Sequence, residues 1–170
     1  MYYETLQIFA KMLLNLSAWL DKLEAYAEER KFDPANLLTA RLAPDQFPLI
    51  RQIQSSCDSA KFAASRLTGR EAPSHPDTET NLAELKSRIQ ATVDYLRSFD
   101  ETDFKDSAEK QVVLPFFPDK FLTGQAYLQE FALPNFYFHL NTSYAILRHN
   151  GVCIGKQDYI GSLPFQELPA

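Results

Sequence analysis

The first thirty residues carry the most regular pattern of apolar positions in the chain. Seven apolar side chains follow one another at alternating steps of three and four, from Leu6 to Ala27. That spacing places them on one face of an α-helix, opposite a polar face. The pattern predicts a long amphipathic helix from about Tyr3 to Arg30. Its expected buried face consists of Leu6, Phe9, Leu13, Leu16, Leu20, Leu23 and Ala27.

Two more long helices are predicted before residue 100. Asp45 can cap the second helix, which runs to about Thr68 and stops at Gly69, a residue type that often follows a helix. The third helix begins near Leu82 and ends near Phe99. Residues 70–80 contain two prolines and no apolar period, so they are predicted to form a loop. The expected inner face of the second helix is Phe47, Ile50, Ile53, Cys57, Ala60, Ala64 and Leu67.

The pattern changes after residue 100. Val112, Leu114 and Phe116 alternate with less apolar neighbours, and Pro118-Asp119 can supply a turn. A small hairpin is therefore predicted, with residues 120–123 as its return strand. Residues 124–131 are expected to form one or two helical turns.

Pro134 is predicted to start the last long helix, which runs from Asn135 to about His149. The tail that follows is expected to be irregular. Tyr159, Ile160 and Phe165 are expected to pack it back onto the helices.

Four long amphipathic segments indicate an all-α fold, a helical bundle formed by one domain spanning residues 1–170. The connection between the third and fourth long helices is about 35 residues long, and it carries the small hairpin or irregular insert. The chain has only five glycines, which argues against a sandwich or a Rossmann-like sheet.

Charge and hydropathy narrow the choice of partners. The net charge is −5, so a nucleic-acid backbone is a poor partner. No apolar stretch approaches the roughly 18 uninterrupted residues of a membrane span, and Glu4, Lys11 and Asp21 interrupt the apolar N-terminus. We expect a cytoplasmic protein in which Cys57 and Cys153 are reduced thiols.

Three stretches carry a resemblance to a known family. They are RLAPDQFPLIRQIQSSCDSAKFAASRLTG at 41–69, the hairpin-like region around VVLPFFPDKFLTG, and NFYFHLNTSYAILRHNGVCIGKQDYIG at 135–161. Together with the leucine-rich first helix and ETNLAELKSRI, they resemble the family called domain of unknown function 1993 over nearly the whole chain. That family is grouped with the DinB/YfiT-like superfamily of proposed metalloenzymes. The resemblance therefore implies a four-helix bundle with a long crossover between helices 3 and 4.

The same resemblance implies a metal site of three histidines, one on the second helix and two spaced by four on the last. This sequence departs from that pattern. The second long helix contains no histidine, and the position four residues after His139 is Ser143. His149 lies ten residues after His139, roughly 15 Å along a helix axis, whereas zinc–nitrogen bonds are about 2.0–2.1 Å. His75 falls in the proline-rich loop. We therefore expect no metal ligand and no cofactor.

His139 is the best candidate functional residue, because it lies in the otherwise apolar run Phe136-Tyr137-Phe138-His139-Leu140. It can serve as a general base or anchor a small ligand, and the alternative is a buried histidine satisfied by hydrogen bonds. Gln52 and Asp58 on the second helix, with Ser143 and Tyr144 on the last, can form the polar wall of a pocket. The alternative for Asp58 is a solvated helix face with an exposed ion pair to Lys61.

Three functions remain open from the sequence. The first is a metal-free bundle, expected to be a homodimer, that binds a small molecule or a protein partner. The second is a metal-dependent or thiol-handling transferase or hydrolase that uses a pocket around His139, by analogy with the superfamily. The third is a purely structural bundle that binds a partner. The aromatic residues after position 110 can line a pocket, form a dimer surface or fill the core.

Overall fold

Helices dominate the computed structural model, which describes residues 1–168. In chain order the long helices are Tyr2–Arg30 (α1), Leu49–Thr68 (α2) and Leu82–Arg97 (α3), followed by a hairpin of Gln111–Leu114 (β1) and Phe117–Thr123 (β2). The helices after the hairpin are Gly124–Ala126 (α4), Leu133–His149 (α5) and Lys156–Ile160 (α6). Short 3₁₀ turns occupy Pro34–Thr39 and Glu101–Phe104. The prediction of a mostly helical chain with a small hairpin is confirmed.

The four long helices share one apolar core. All seven positions predicted for the buried face of α1 are buried, and α1 packs against α3, α2 and α5. The ring of Phe9 stacks on Phe136 of α5, with 4.1 Å between ring centroids. Cys57 of α2 lies in the same core, where burial raises the pKa of its thiol to about 12. It therefore packs as a small apolar side chain, as predicted.

The start of α2 was predicted too early. The helix begins at Leu49, so Asp45 does not cap it, and Phe47 lies outside it with 53% of its surface exposed. The reason is Pro48, because a proline disfavours the helical conformation at the residue before it. The first backbone N–H of the helix, on Leu49, instead donates to the carbonyl of Ala40 at 2.9 Å.

The last long helix begins earlier than predicted, because α4 continues through a π-helical segment, Tyr127–Ala132, directly into α5. The backbone N–H of Leu133 donates to the carbonyl of Leu128, five residues back. In a regular α-helix the ring of Pro134 would clash with the carbonyl four residues before it. The wider π turn relieves that clash, so the chain remains helical across the proline.

The hairpin is confirmed, but its turn is not at Pro118-Asp119. Leu114 pairs with Phe117, so Pro115 and Phe116 form the turn, and Pro118 lies within β2. A proline is tolerated there because each strand of a two-stranded sheet has one free edge.

The C-terminal segment contains a short helix, α6, where an irregular tail was predicted. Tyr159 packs back as predicted, with its ring stacked on Trp19 at 5.6 Å, and the indole N–H of Trp19 donates to the carbonyl of Asp158 at 3.0 Å. Phe165 does not pack back, since it is 86% exposed. No helix of the described residues is both long enough and apolar enough to cross a membrane.

Arg88 of α3 joins two helices and the loop between them. The residue is 4% exposed, and its guanidinium donates to Asp58 of α2 at 2.7 Å. It also donates to Asp77 at 2.6 Å and Glu79 at 2.9 Å, both in the loop between α2 and α3. Arg51 of α2 makes a second ion pair with Asp77. The loop at 70–80 is therefore irregular, as predicted, but it is fastened to both helices.

The two loop carboxylates have lowered pKa values. Burial acts to raise the pKa of Asp77 and of Glu79, but the hydrogen bonds from Arg88 outweigh it, together with one from Arg51 to Asp77 and one from Gln54 to Glu79. A carboxylate whose pKa is lower in the folded state stabilises the fold above its unfolded pKa. That stabilisation is lost as the pH falls through the folded pKa.

Removal of the fully buried Phe136 ring should destabilise the fold strongly. We expect Phe136→Ala to lower the free energy of unfolding by about 3–5 kcal/mol, because it leaves a cavity beside Phe9. The neighbouring variant Phe138→Ala is the control, since that ring is 56% exposed and its loss should cost about 1 kcal/mol or less. Urea unfolding of the two variants measures the difference. Equal losses would contradict the described packing of α5.

Loss of the Arg88 guanidinium should also destabilise the fold. We expect Arg88→Met to cost about 2–4 kcal/mol, because it leaves three carboxylates without their shared partner. The figure lies toward the low end for a buried pair because these carboxylates are partly exposed. Arg97→Met, at an exposed position of the same helix, should change the free energy of unfolding by about 0.5 kcal/mol or less. A cost below 1 kcal/mol for Arg88→Met would show that the network contributes little.

The lowered pKa values of Asp77 and Glu79 predict a pH dependence of stability. The free energy of unfolding of the wild type should fall as the pH drops from about 5 to about 2, where both carboxylates become protonated. The fall should be smaller in Arg88→Met, in which Asp77 and Glu79 have lost the bonds from Arg88 that help to lower their pKa and keep those from Arg51 and Gln54. Urea unfolding at a series of pH values measures both slopes. Parallel slopes for the two proteins would contradict the prediction.

Candidate functional site

A cleft of about 480 Å³ opens between α2 and α5. Three contacts show that the two helices run antiparallel along it: His139 meets Gln52, Asn135 meets Ser59, and Tyr127 before α5 meets Arg66. The turn of the hairpin, Pro115 and Phe116, lines a further side. The polar residues that line the cleft are Ser55, Asp58, Ser59, Arg66, Asn135 and His139, and the aromatic ones are Phe62, Phe116, Tyr127 and Phe131.

The periodicity of the two helices explains which residues meet in the cleft. On α2 the lining positions 55, 58, 59, 62 and 66 repeat at steps of three or four, so they share one helix face. On the opposite side, positions 131, 135 and 139 repeat every four residues. The π segment ends just before α5 and contributes Tyr127 and Phe131, in keeping with the frequent use of π turns at functional sites.

Gln52 fixes the orientation of His139. The amide nitrogen of Gln52 donates to the carbonyl of Phe47 at 3.1 Å, which leaves its Oε1 as an acceptor. The Nδ1 of His139 lies 2.8 Å from that oxygen and must therefore carry the proton. In the neutral ring the other nitrogen, Nε2, is then an unprotonated acceptor, on a residue that lines the cleft.

The pKa of His139 lies below its usual range. Burial is the main cause, and the positive charge of Arg51 adds to it, while the negative charge of Asp58 opposes both. His139 is therefore neutral at neutral pH, in the tautomer that Gln52 selects.

Asp58 faces the cleft but is already paired. Its Oδ1 accepts from Arg88 at 2.7 Å and from Lys61 at 2.9 Å. Lys61 is only 3% exposed, so the alternative of a solvated ion pair on this helix face is wrong. The ammonium of Lys61 also lies 3.1 Å from Nδ1 of His75. Because an ammonium can only donate, His75 accepts, and its pKa is lowered by burial and by Lys61.

The middle of the cleft is cross-linked by two polar side chains. The amide of Asn135 donates to the hydroxyl of Ser59 at 2.7 Å, and that hydroxyl donates to the carbonyl of Ser55 at 2.7 Å. This chain of bonds holds α5 against α2 at the level of Asp58.

Arg66 lies at the opposite end of the cleft from Gln52. Its guanidinium donates to the hydroxyl of Tyr127 at 3.2 Å and lies 5.1 Å from the ring centroid of Phe62 and 5.7 Å from that of Tyr127. Within residues 1–168 it makes no ion pair with a carboxylate.

Three of the five residues predicted to bind a ligand meet at the cleft, and two do not. His139 and Asp58 line it, and Gln52, which does not line it, accepts a hydrogen bond from His139. Ser143 is buried and donates to the carbonyl of His139 in its own helix at 3.0 Å. Tyr144 faces Trp19 and Tyr159, with ring centroids 5.4 and 5.7 Å away.

The donor set does not fit the metal site that the superfamily implies. His139 is the only histidine of the cleft wall in the described chain, and Oδ1 of Asp58 is occupied by Arg88 and Lys61. The hydroxyl of Ser143, at the position of the missing histidine, bonds to the backbone. Across residues 1–168, no three His, Cys, Asp or Glu side chains are grouped so that they could hold a metal ion.

Sequence reasoning missed Arg66, Arg88 and Asn135. Arg88 had a readable signal, since it lies three residues after Leu85 and next to Ile89, on the apolar stripe of α3. Arg66 and Asn135 had none, because nothing in their spacing distinguishes them from surface positions.

A second cavity, of about 390 Å³, lies beside the hairpin and is lined mainly by apolar residues, among them Val112, Leu114 and Phe131. Its two charged lining residues, Lys120 and Glu130, are both exposed. Convergent polar groups beside apolar walls are typical of ligand sites, so the cleft at His139 is the better candidate.

Comparisons with known proteins agree with this fold. The crystal structure of a DinB family member from Shewanella denitrificans superposes with a TM-score of 0.94 at 50% sequence identity, over 98% of this chain and 95% of that one. No curated protein matches the sequence. The family model described as domain of unknown function (DUF1993) matches residues 1–160. The chain therefore belongs to the domain of unknown function 1993 family.

Proposed function

We propose that this protein is a DinB-like four-helix bundle that binds a small organic molecule, without a metal, in the cleft between α2 and α5. One observation carries the proposal. His139 lines a cavity of about 480 Å³ with its Nδ1 bonded to Gln52 and no hydrogen bond to its Nε2 in the described residues, while the neighbouring carboxylate of Asp58 is held by Arg88 and Lys61.

The size and lining of the cleft support a small-molecule site. Ligand pockets commonly measure about 300–1,000 Å³ and combine apolar walls with a few placed polar groups. Here Phe62, Phe116 and Phe131 supply apolar surface, and His139 and Arg66 supply hydrogen-bonding groups at separate positions. The network behind Asp58 and the bond from Gln52 hold this wall in place before any ligand arrives, which lowers the entropic cost of binding.

The bundle itself is proposed from the packing of α1, α2, α3 and α5. The connection from α3 to α5 carries the hairpin and the π segment, which corresponds to the long crossover predicted between the third and fourth helices. The homodimer and the cytoplasmic location also remain predictions. Exposed rings at Phe116, Phe117, Phe121 and Phe138 offer an apolar surface that a second copy would cover.

An enzyme is the second candidate, and the state of His139 favours it. A neutral imidazole that lines a cavity, is held through Nδ1 and keeps Nε2 unprotonated is suited to act as a general base. A transferase or hydrolase of this kind would act without metal. Turnover of a model ester or thiol substrate that is lost in His139→Gln and kept in His149→Gln would support it.

Fragment binding observed by NMR tests the proposed function. In untagged ¹⁵N-labelled protein, fragments with a hydrogen-bond donor should shift the backbone amides of Ser55, Asp58, Asn135 and His139. His139→Phe should weaken this binding by about 3- to 10-fold, the effect of one lost hydrogen bond. His149→Phe, at an exposed position in the last turn of α5, should not change it. If no fragment shifts the cleft amides, the proposal is wrong.

The same protein sample tests whether the cleft binds a metal. Adding EDTA should leave fragment affinities unchanged, because His139 is the one imidazole that lines the cleft in the described residues and Oδ1 of Asp58 is already bonded to Arg88 and Lys61. Elemental analysis should find less than stoichiometric zinc, nickel or iron. A tightly bound metal at one equivalent, lost in His139→Phe, would contradict the metal-free part of the proposal.

A further inference from the structure

Arg66 is the feature of the cleft that the proposed function does not yet use. Two charged side chains line the cleft, Asp58 and Arg66. Asp58 is neutralised by Arg88 and Lys61, whereas Arg66 has no carboxylate partner in the part of the chain that is described. An arginine that is always charged and lacks a counter-ion leaves the cleft with a positive end.

The contacts of Arg66 hold its guanidinium without consuming its donors. Phe62 and Tyr127 lie beside it at cation–π distance, and the hydroxyl of Tyr127 accepts one of its N–H groups. A guanidinium has five N–H donors in a planar fork, and the fork matches the two oxygens of a carboxylate. Four donors therefore remain for water or for a ligand.

The charge balance around the cleft also indicates an unpaired positive charge at Arg66. Although the chain carries a net charge of −5, the cleft wall and the network behind it hold four cations against three carboxylates. The cations are Arg51, Lys61, Arg66 and Arg88, and the carboxylates are Asp58, Asp77 and Glu79. The surplus positive charge is that of Arg66, since every other member of this set is paired.

The spacing of the groups sets the shape of a ligand. Arg66 and Asp58 are eight residues apart on α2, about 12 Å along the helix axis, and Gln52, the partner of His139, lies six residues beyond Asp58, about 9 Å further. Phe62 and Phe131 line the space between the two ends. At the far end, Nε2 of His139 is unprotonated and can only accept, so it would receive a hydrogen bond from an O–H or N–H group of the ligand.

We propose that the ligand of this cleft is an organic carboxylate with an apolar or aromatic body, whose carboxylate binds Arg66 and whose other end donates a hydrogen bond to His139. This inference rests on the proposed function, because it names the class of molecule that the same cleft would bind.

A matched pair of probes tests the inference. The acid is 4-(4-hydroxyphenyl)butanoate and the neutral analogue is 4-(4-hydroxyphenyl)butanamide, which keeps the ring and the phenol donor but lacks the charge. Binding is followed by the amide shifts of the cleft residues in the wild type, in Arg66→Met and in Arg70→Met. Arg70 is the control because its guanidinium also lies over an aromatic ring, that of Phe99 at 4.4 Å, but it does not line the cleft.

The acid should bind the wild type and Arg70→Met at least about 10-fold more tightly than the amide, the effect of a charge-assisted hydrogen bond. In Arg66→Met the two probes should bind with equal affinity. Arg66→Lys, which keeps the charge and loses the planar fork, should restore part of the preference for the acid.

The outcomes separate this inference from the proposed function. Equal binding of acid and amide to the wild type, with shifts at the cleft, overturns the role of Arg66 and leaves a ligand site in place. Binding of neutral fragments but not of the acid also overturns it. If neither the probes nor the fragment panel shift the cleft amides, both proposals fail.

Discussion

The arrangement of the cleft depends on the burial of one positive charge. Arg88 is almost inaccessible to water, and a guanidinium that loses its hydration must find partners in the protein. It finds them on α2 through Asp58 and on the following loop through Asp77 and Glu79. The desolvation cost of Arg88 is thereby offset only when α2, α3 and the loop are in their native positions. The same bonds orient the carboxylate that forms part of the cleft wall.

The helices that bury one face were predictable from the sequence. The effect of each proline on where a helix starts was not. The apolar stripes of α1 and α3 repeat with the helical period, so their residues and approximate ends follow from spacing alone. Pro48 and Pro134 look alike in the sequence, as prolines that a first helical turn tolerates. Their effects differ in the structure. α2 begins only after Pro48, whereas the helix continues through Pro134 because a π turn precedes it. That choice depends on the packing of neighbouring segments, which the local sequence does not contain.

The candidate site was only partly predictable, for a related reason. A histidine in an apolar run stands out, and so His139 was found. The position of a residue along the helix was harder to judge, and Ser143 and Tyr144 therefore lie beyond the end of the cleft, although they share its helix. The residues that act on Asp58 come from α3 and from α2 itself, and their convergence depends on how those helices pack. Periodicity gives the face of a helix, but not the partner that this face will meet.

The pairing of Asp58 changes what chemistry the cleft can offer. A metal ion acts as a Lewis acid because it keeps an open coordination position for substrate or water. Arg88 and Lys61 bring positive charge to the same carboxylate, and both bond to its Oδ1. The cleft is then lined by a set of groups suited to recognition: a neutral imidazole at one end, a guanidinium at the other, and aromatic rings and the charge-compensated carboxylate of Asp58 between them. Such a set distinguishes ligands by charge, length and hydrogen-bonding capacity, so the affinity for matched pairs of molecules reports on it more directly than a survey of metals.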